Sequence, residues 1–275
     1  MKLLCLARPT LGLALSGLVV LGGSDAAAQA PRAEGARASL PGYLGAGRLP
    51  DERIFLPAPP ADRSIAGKAD LATFKATRAQ AGTARWNIAA NDAIVSNPAL
   101  LADFNCSLGM SLTPAQTPAL AKLSARAMRD ALSVVGTAKD RYQRPRPFLR
   151  AKGPTCVAMD GRSGGGSYPS GHATAGWLYA LVLAELAPAQ ASQVLARGRA
   201  YGESRVVCGV HYISDIEAGR TTAGAVFAAL HASPEFQADM AAARIELSAL
   251  SADGSLAVDS KACAAEHTTL LNLPW

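Results

Sequence analysis

The stretch PSGHATAGWLYALVLAEL, residues 169–186, decides the fold class of this chain. Ser170 is a favoured helix N-cap residue, and a long apolar run follows it until Pro188, which cannot continue a helix. Alanine outnumbers the aromatic residues throughout the chain, a composition that favours packed helices over sheet. The stretch therefore predicts an apolar helix that begins near Ser170 and is stopped by Pro188.

Helical patterns continue on both sides of this stretch. Further helices are predicted over about residues 113–139, 189–206 and 211–232, and a last long helix begins at Ser233 and Pro234. The first of them opens with a capping box of Thr113 and Gln116, with Pro114 at the first helical position. Runs of Val and Ile are rare, so the signals for strands are poor. We predict an all-α, single-domain helical bundle over residues 67–275.

The N-terminal segment has the pattern of a secretory signal peptide. Lys2 and Arg8 lie around the start of an apolar run, which the small-residue run SDAAAQA follows. Cleavage after Ala28 satisfies the small-x-small rule. Cleavage after Ala30 also satisfies it but would place Pro31 next to the cut, so we predict that residues 1–28 are removed. The apolar run of 13 residues is short for a membrane anchor, the alternative interpretation. Residues 29–66, rich in Pro, Gly and Ala, are predicted to form an extended N-terminal arm.

The charge of the chain favours a small anionic substrate over a nucleic acid. The 275 residues carry a formal net charge of +6, which becomes +5 without residues 1–28. No block of Lys and Arg is interleaved with aromatic residues, as a nucleic-acid surface would require. We therefore expect no nucleic-acid partner and, after cleavage of the signal peptide, no membrane partner.

Four cysteines remain in the predicted mature chain: Cys106, Cys156, Cys208 and Cys263. An even number of cysteines in a protein bound for an oxidising compartment predicts two disulfides. Four cysteines allow three pairings, and the sequence does not choose among them. The alternative is four buried free thiols, and no C-x-x-C pair indicates a zinc or redox site.

A first cluster of candidate site residues lies in KDRYQRPRPF, residues 139–148. Lys139 is predicted near a helix C-terminus. The helix dipole favours cations there, so the alternative is a solvated cationic helix end with no role in a site. Pro145 and Pro147 stiffen the backbone around Arg144 and Arg146, which solvated surface cations do not need. Rigidly held arginines suit the binding of a planar or tetrahedral oxyanion.

A second cluster lies in GSYPSGHA, residues 166–173. Ser170 is the predicted N-cap, and Gly171 and His172 form the first helical turn. The free N–H groups and the positive end of the helix dipole meet there, and Gly171 allows an anion to approach closely. The alternative is that Ser170 is an ordinary cap.

A third cluster lies in SRVVCGVHYISDIEAG, residues 204–219. It contains Arg205, and it places His211 and Asp215 four residues apart on one predicted helical face. A carboxylate that holds one ring nitrogen fixes the tautomer and leaves the other nitrogen as a nucleophile or base. The alternative is an ordinary surface pair.

Together, the three clusters supply what phosphoryl transfer without a metal or cofactor requires.

The three clusters, in this order and at these spacings, resemble the signature motifs of the phosphatidic acid phosphatase type 2 and vanadium haloperoxidase superfamily. Within it the chain is similar to the class A bacterial non-specific acid phosphatases, which share the signal peptide, the size and stretches like FLPAPPADRSIA. The resemblance covers roughly residues 55–240. It implies a periplasmic or secreted phosphatase that hydrolyses phosphate monoesters, with a broad specificity.

The resemblance also implies a role for each matching residue. His211 would attack phosphorus to form a phosphohistidine, Asp215 would hold its ring, and His172 would protonate the leaving oxygen and later activate water. The phosphate oxygens would be bound by Lys139, Arg146, Ser170, Gly171 and Arg205. Arg146 follows Lys139 with six residues between them, as the motif requires, although Arg144 can share the phosphate contact.

Two other functions fit parts of this pattern. A vanadium-dependent haloperoxidase would hold vanadate in the same cradle, but such enzymes are generally much longer chains. A secreted phosphate-binding protein would use the cations but not a His/Asp pair opposite a second histidine. The sequence leaves open the physiological substrate, the pH optimum and the oligomeric state, although relatives often form a homo-oligomer.

Overall fold

Helices joined by irregular segments make up the computed structural model, which describes residues 40–159 and 166–271. The α-helices are α1 (Glu52–Phe55), α2 (Ile65–Thr77), α3 (Ala84–Asn91), α4 (Asn97–Leu108), α5 (Pro118–Tyr142), α6 (Gly171–Leu186), α7 (Ala191–Val207), α8 (Ile213–Leu230), α9 (Pro234–Ser251) and α10 (Ser260–Leu271). Within these residues the only β-type pairing is an isolated bridge between Met110 and Ala257. The prediction of an all-α fold is confirmed.

Helix α6 forms the centre of the core, because apolar residues cover almost its whole surface. It packs most extensively against α7 and α8, and also against α5. Two glycines let α6 and α7 approach closely: a Cβ on Gly176 would lie 2.3 Å from the Tyr201 ring, and one on Gly198 would lie 2.4 Å from the Cβ of Ala180. This close packing fixes the N-terminus of α6 relative to the C-terminus of α7.

Two helices begin where the sequence predicts. Ser170 caps α6 by accepting a hydrogen bond from the Ala173 N–H at 3.3 Å, and the helix ends at Leu186, before Pro188. Ser233 caps α9 in the same way through the Phe236 N–H. However, α9 is not the last helix as expected, since the 12-residue α10 follows it.

The predicted helix start at Thr113 is wrong. Thr113 does contact the Gln116 side chain, through its N–H at 3.0 Å and its hydroxyl at 2.7 Å, but these bonds close a turn. Helix α5 begins only at Pro118. Proline has no N–H for the helical ladder, and it displaces the preceding Thr117 from helical geometry, to φ −125° and ψ 52°.

The predicted helix start at His211 is also wrong. Helix α8 begins at Ile213, so His211 lies in the turn between α7 and α8. Gly209 interrupts the helical path before His211 with a left-handed φ of +80°, which glycine adopts without steric cost. His211 and Asp215 therefore do not share one helical face, contrary to the prediction.

Two disulfides settle the pairing that the sequence leaves open. Cys106 on α4 is bonded to Cys263 on α10, and Cys156 in the loop after α5 is bonded to Cys208 at the end of α7. The second bond ties that loop to the turn that carries His211. In the described part of the chain, no helix combines the length and the apolar character needed to cross a membrane.

Residues 40–64 precede α2 and contain little regular structure besides α1 and a short 3-10 helix, Ala46–Arg48. Tyr43 and Leu44 are buried, and their N–H groups donate to one oxygen of Asp130 on α5, at 2.7 and 3.2 Å. This part of the predicted arm is thus fastened to the helices. The predicted signal peptide and the first residues of the arm lie outside the described residues, and the domain boundaries stay a prediction.

Candidate active site

The ring of His211 is held between a carboxylate and a guanidinium. Its Nδ1 lies 3.2 Å from Asp215 Oδ2, and its Nε2 lies 2.9 Å from Nη1 of Arg146. A guanidinium can only donate hydrogen bonds, so Nε2 must accept and Nδ1 must carry the proton that faces the carboxylate. The lone pair available for nucleophilic attack is therefore on Nε2.

Asp215 reaches back to His211 from the N-terminus of α8 and is fully buried. Its Oδ2 also accepts hydrogen bonds from the Tyr212 N–H at 2.9 Å and from the Ser167 hydroxyl at 2.5 Å. The same carboxylate therefore both caps α8 and orients the imidazole of His211. Burial raises the pKa of Asp215, and the Arg144 guanidinium and these donors oppose that rise.

Arg144 forms ion pairs with two carboxylates. Both of its Nη atoms are used in these pairs and not held free for a phosphate. Its Nη1 lies 2.6 Å from Asp215 Oδ1, and its Nη2 lies 2.8 Å from Oδ2 of Asp70 on α2. The guanidinium is buried and lies over the Tyr212 ring, 4.2 Å from its centroid. Asp70 also accepts the Ser214 N–H at 3.0 Å, so this ion-pair network fastens the start of α8 to α2.

Three cations from different elements converge near His211. Lys139, in the last turn of α5, donates to the Gly166 carbonyl, and Arg146 also donates to the Val210 carbonyl at 2.9 Å. Arg205, in the last turn of α7, is buried, and its Nε and Nη1 have no hydrogen-bond partner among the described residues. A buried guanidinium with unused donors fits an anion such as phosphate.

The electrostatics of this group are those of an anion-binding site. Burial and the nearby Arg146 lower the pKa of Lys139 to about 8, and burial lowers that of Arg205 to about 10. Burial and the charges of Arg146 and Lys139 also hold the pKa of His211 well below its usual range. Burial and these charges therefore favour the neutral imidazole of His211, and the same positive charge favours binding of a dianion.

The N-terminus of α6 lies beside these cations. The Ser170 N–H donates to the main-chain carbonyl of Asp215 at 3.0 Å, which joins the starts of α6 and α8. A Cβ on Gly171 would lie 3.7 Å from the side chains of Leu132 and Val135, an ordinary contact. Packing therefore does not require a glycine there, and the missing side chain leaves room for an anion to approach the first-turn N–H groups.

His172 lies in the same first turn and is half-buried. Its Nε2 lies 3.1 Å from the Ala93 carbonyl oxygen, which can only accept, so Nε2 carries the proton. Burial, together with the smaller effect of the positive charge on Arg205, lowers the pKa of His172 to about 3. A bound phosphate dianion would oppose that charge and raise the pKa again, which would allow the ring to carry a proton to a leaving group.

Three residues that shape the site were not singled out from the sequence. Ser167 bonds Asp215 and lies 3.3 Å from His211 Nδ1, and Asp70 holds Arg144. Arg78 donates to the carbonyls of Val206 and Val207 at 2.9 and 2.7 Å and so supports the turn before His211. Ser167 lies within the motif GSYPSGHA, but nothing in the local sequence marks Asp70 or Arg78.

A protein-bound metal would need several ligating side chains close together. Within residues 40–159 and 166–271, no group of three or more His, Cys, Asp or Glu side chains has the arrangement to hold a metal ion. The candidate site is thus described by two histidines, one buried carboxylate and three cations.

Comparison with known proteins finds similarity along the region that carries these residues. The model of the PAP2 superfamily matches residues 120–238. An acid phosphatase of Zymomonas mobilis is 43% identical over 199 residues, which cover 72% of this chain and 75% of that protein. Non-specific acid phosphatases of Providencia stuartii and Salmonella typhimurium are each 36% identical, over 76% and 72% of this chain and over 85% and 80% of their own lengths.

Proposed function

This chain belongs to the PAP2 superfamily and, within it, to the class A bacterial acid phosphatases, and from that premise we propose that it hydrolyses phosphate monoesters with His211 as the nucleophile. The observation that supports this most strongly is the arrangement of the His211 ring. Nδ1 faces a buried carboxylate and Nε2 faces a guanidinium, so the reactive lone pair points toward the cations that would bind phosphate.

In the first step, Nε2 of His211 attacks phosphorus as the bond to the leaving oxygen breaks. Lys139, Arg146 and Arg205 neutralise the phosphate oxygens, and Ser170 and the Gly171 N–H orient them. His172 gives a proton to the leaving oxygen, so an alcohol departs. The products are the alcohol and a phosphohistidine, and the ionised Asp215 balances the positive charge that develops on the His211 ring.

In the second step, water hydrolyses the phosphohistidine. His172, now neutral, takes a proton from the attacking water, and the bond between phosphorus and Nε2 breaks. Inorganic phosphate is released, and His211 returns to its neutral tautomer. The acid of the first step is the base of the second, so a single residue serves both halves of the reaction.

We further propose that the reaction needs neither a metal nor a cofactor. The three cations and the N-terminus of α6 together supply the positive charge that metal ions supply in many other phosphoryl-transfer enzymes. Activity should therefore survive treatment with a chelator.

The proposed location is the periplasm or the outside of the cell, with small phosphorylated compounds as substrates. Two disulfides support this, because they form and persist in oxidising compartments. The curated relatives are named acid phosphatase or non-specific acid phosphatase, which supports a broad specificity here. Two predictions remain: that the protein has no nucleic-acid partner, and that it forms a homo-oligomer.

The test is release of p-nitrophenol from p-nitrophenyl phosphate in the presence of EDTA. We expect activity in the wild type and none in His211→Ala. His267→Ala is the matched control, because His267 is exposed on α10 and lies outside the site. Loss of wild-type activity in EDTA would contradict metal independence. Halide oxidation with vanadate and peroxide, in place of ester hydrolysis, would indicate a haloperoxidase.

A further inference from the structure

A groove beside the phosphate cradle has no role in the mechanism above. It lies between the start of α4 and the exposed face of α5 and encloses about 510 Å³, a volume typical of sites for small molecules. Its walls include the apolar side chains of Val95, Leu100, Met128 and Leu132. Arg129 adds a positive charge to the same groove.

The groove is adjacent to the site. Leu132 lies against the first turn of α6, with its Cδ2 3.7 Å from the position of a Cβ on Gly171. Val95, on the opposite wall, follows Ala93 by two residues, and the Ala93 carbonyl accepts the His172 Nε2 proton. One wall therefore begins at the proposed phosphate-binding turn and the other at the proposed acid. The leaving oxygen of a bound ester would lie between them.

Exposed apolar side chains lie in or next to the groove. Ile94 is 58% exposed, Val95 is 41% exposed and Leu132 is 42% exposed. Single exposed hydrophobic residues need no explanation, but here Val95 and Leu132 line the same groove, and Leu132 lies against Gly171. The Arg129 guanidinium makes no ion pair or hydrogen bond with any residue that the structure describes.

We propose that this groove binds the leaving group of the substrate and favours phosphate monoesters of aromatic alcohols among the esters that the enzyme hydrolyses. This inference rests on the proposed phosphatase activity. A ring can pack between Leu132 and Val95, and the guanidinium of Arg129 can lie over a ring face. A polyol between Leu132 and Val95 would set its hydroxyls against apolar side chains that offer no hydrogen bonds, which disfavours it there. The selection rests on these two residues, because Ser96, Asn97 and Ser133 line the rest of the groove with polar groups.

The test compares kcat/KM for naphthyl phosphate and for glycerol phosphate in Leu132→Gln and Val95→Thr. Gln preserves the length and helix propensity of Leu132, and Thr preserves the shape of Val95, so both substitutions change mainly the polarity of the wall. Ile245→Gln on α9 is the matched control, because Ile245 is a 73% exposed helical residue outside the groove. Each variant is compared with the wild type on the same substrate, which cancels the different reactivities of the two esters.

We expect each groove variant to lose on the order of tenfold in kcat/KM for naphthyl phosphate, and little for glycerol phosphate. We also expect weaker competitive inhibition by naphthol in these variants and wild-type behaviour in the control. Equal losses on both esters, or no loss on either, would overturn the proposal while leaving the phosphatase activity intact. If the wild type hydrolyses neither ester, the proposed function itself fails.

Discussion

Replacement of Arg144 by alanine tests how the site keeps its carboxylate ionised. Arg144 neutralises two buried carboxylates, with Nη1 2.6 Å from Asp215 and Nη2 2.8 Å from Asp70. The substitution removes one cation and leaves two anions that water does not reach. Asp215 in turn holds the proton on Nδ1 of His211, so we expect both stability and catalysis to suffer.

The expected effect on stability follows from the burial of the network. Removal of one partner from a buried ion pair costs about 3–5 kcal/mol, because the remaining charge is uncompensated. For a chain of this length, that loss corresponds to a fall in Tm on the order of 10 °C. Arg144→Lys should cost less, since it keeps the charge but not the two-pronged contact.

The expected effect on catalysis has a defined sign. Arg144 opposes the rise that burial causes in the pKa of Asp215, so its removal raises that pKa further. The mechanism needs Asp215 ionised, and its ionised form is lost as the pH falls through the raised pKa. The acidic limb of the kcat/KM profile therefore moves to higher pH, and misplacement of the His211 ring lowers the maximum about 10²-fold.

The assay combines thermal unfolding with kcat/KM for p-nitrophenyl phosphate as a function of pH. Arg141→Ala is the control, because Arg141 forms a partly exposed pair with Glu52 and should contribute less than about 1 kcal/mol. A lower Tm with an unmoved acidic limb would refute the role of Arg144 in tuning Asp215. An unchanged Tm would refute the buried network itself.

Three further predictions concern charge, ligand binding and covalent restraint. kcat/KM should fall as the pH rises through about 8, where Lys139 loses its charge, and a profile that stays flat well above that pH would contradict this. Inorganic phosphate at a hundred times its Kd should stabilise the protein by about 2.7 kcal/mol, seen as a rise in Tm, and no rise would contradict binding to the native site. Replacement of Cys156 and Cys208 by serine should lower both Tm and kcat/KM, because that bond restrains the turn before His211. Replacement of Cys106 and Cys263 should lower Tm alone, and equal kinetic losses would contradict the distinction.

Local sequence signals predicted much of the fold, because helix boundaries depend on nearby residues. The cap at Ser170 and the stop before Pro188 both act within one helical turn, and the structure confirms them. The start at Thr113 failed although Thr113 contacts the Gln116 side chain, since these bonds close a turn and the helix begins only at Pro118. The start at His211 failed because Tyr212, the residue before α8, is extended, with φ −90° and ψ 163°.

The pairing of His211 with Asp215 shows that a contact can be predicted for the wrong structural reason. The spacing of four residues suggested one face of a helix, whereas the carboxylate reaches back from a helix N-terminus. Both geometries bring the two groups within reach of each other. The contact is therefore present, and the catalytic roles of the two residues remain a prediction.

Contacts between distant segments explain what the sequence did not reveal. Arg144 meets Asp70 across 74 residues, and Arg78 meets Val207 across 129 residues. Neither Asp70 nor Arg78 belongs to a local motif, so no spacing rule identifies them. The packing of α2 against α7 and α8 brings them to the site, and the same kind of long-range information decides the disulfide pairing.

The central claim is that His211 carries the phosphoryl group, and trapping of that intermediate tests it most directly. The protein is mixed with p-nitrophenyl phosphate, quenched in alkali during turnover, because phosphohistidine is labile in acid, and digested for mass spectrometry. The account predicts one phosphoryl group on His211 in the wild type and none in His211→Ala. Steady turnover with no modified His211, or with the phosphoryl group on another side chain, would contradict it.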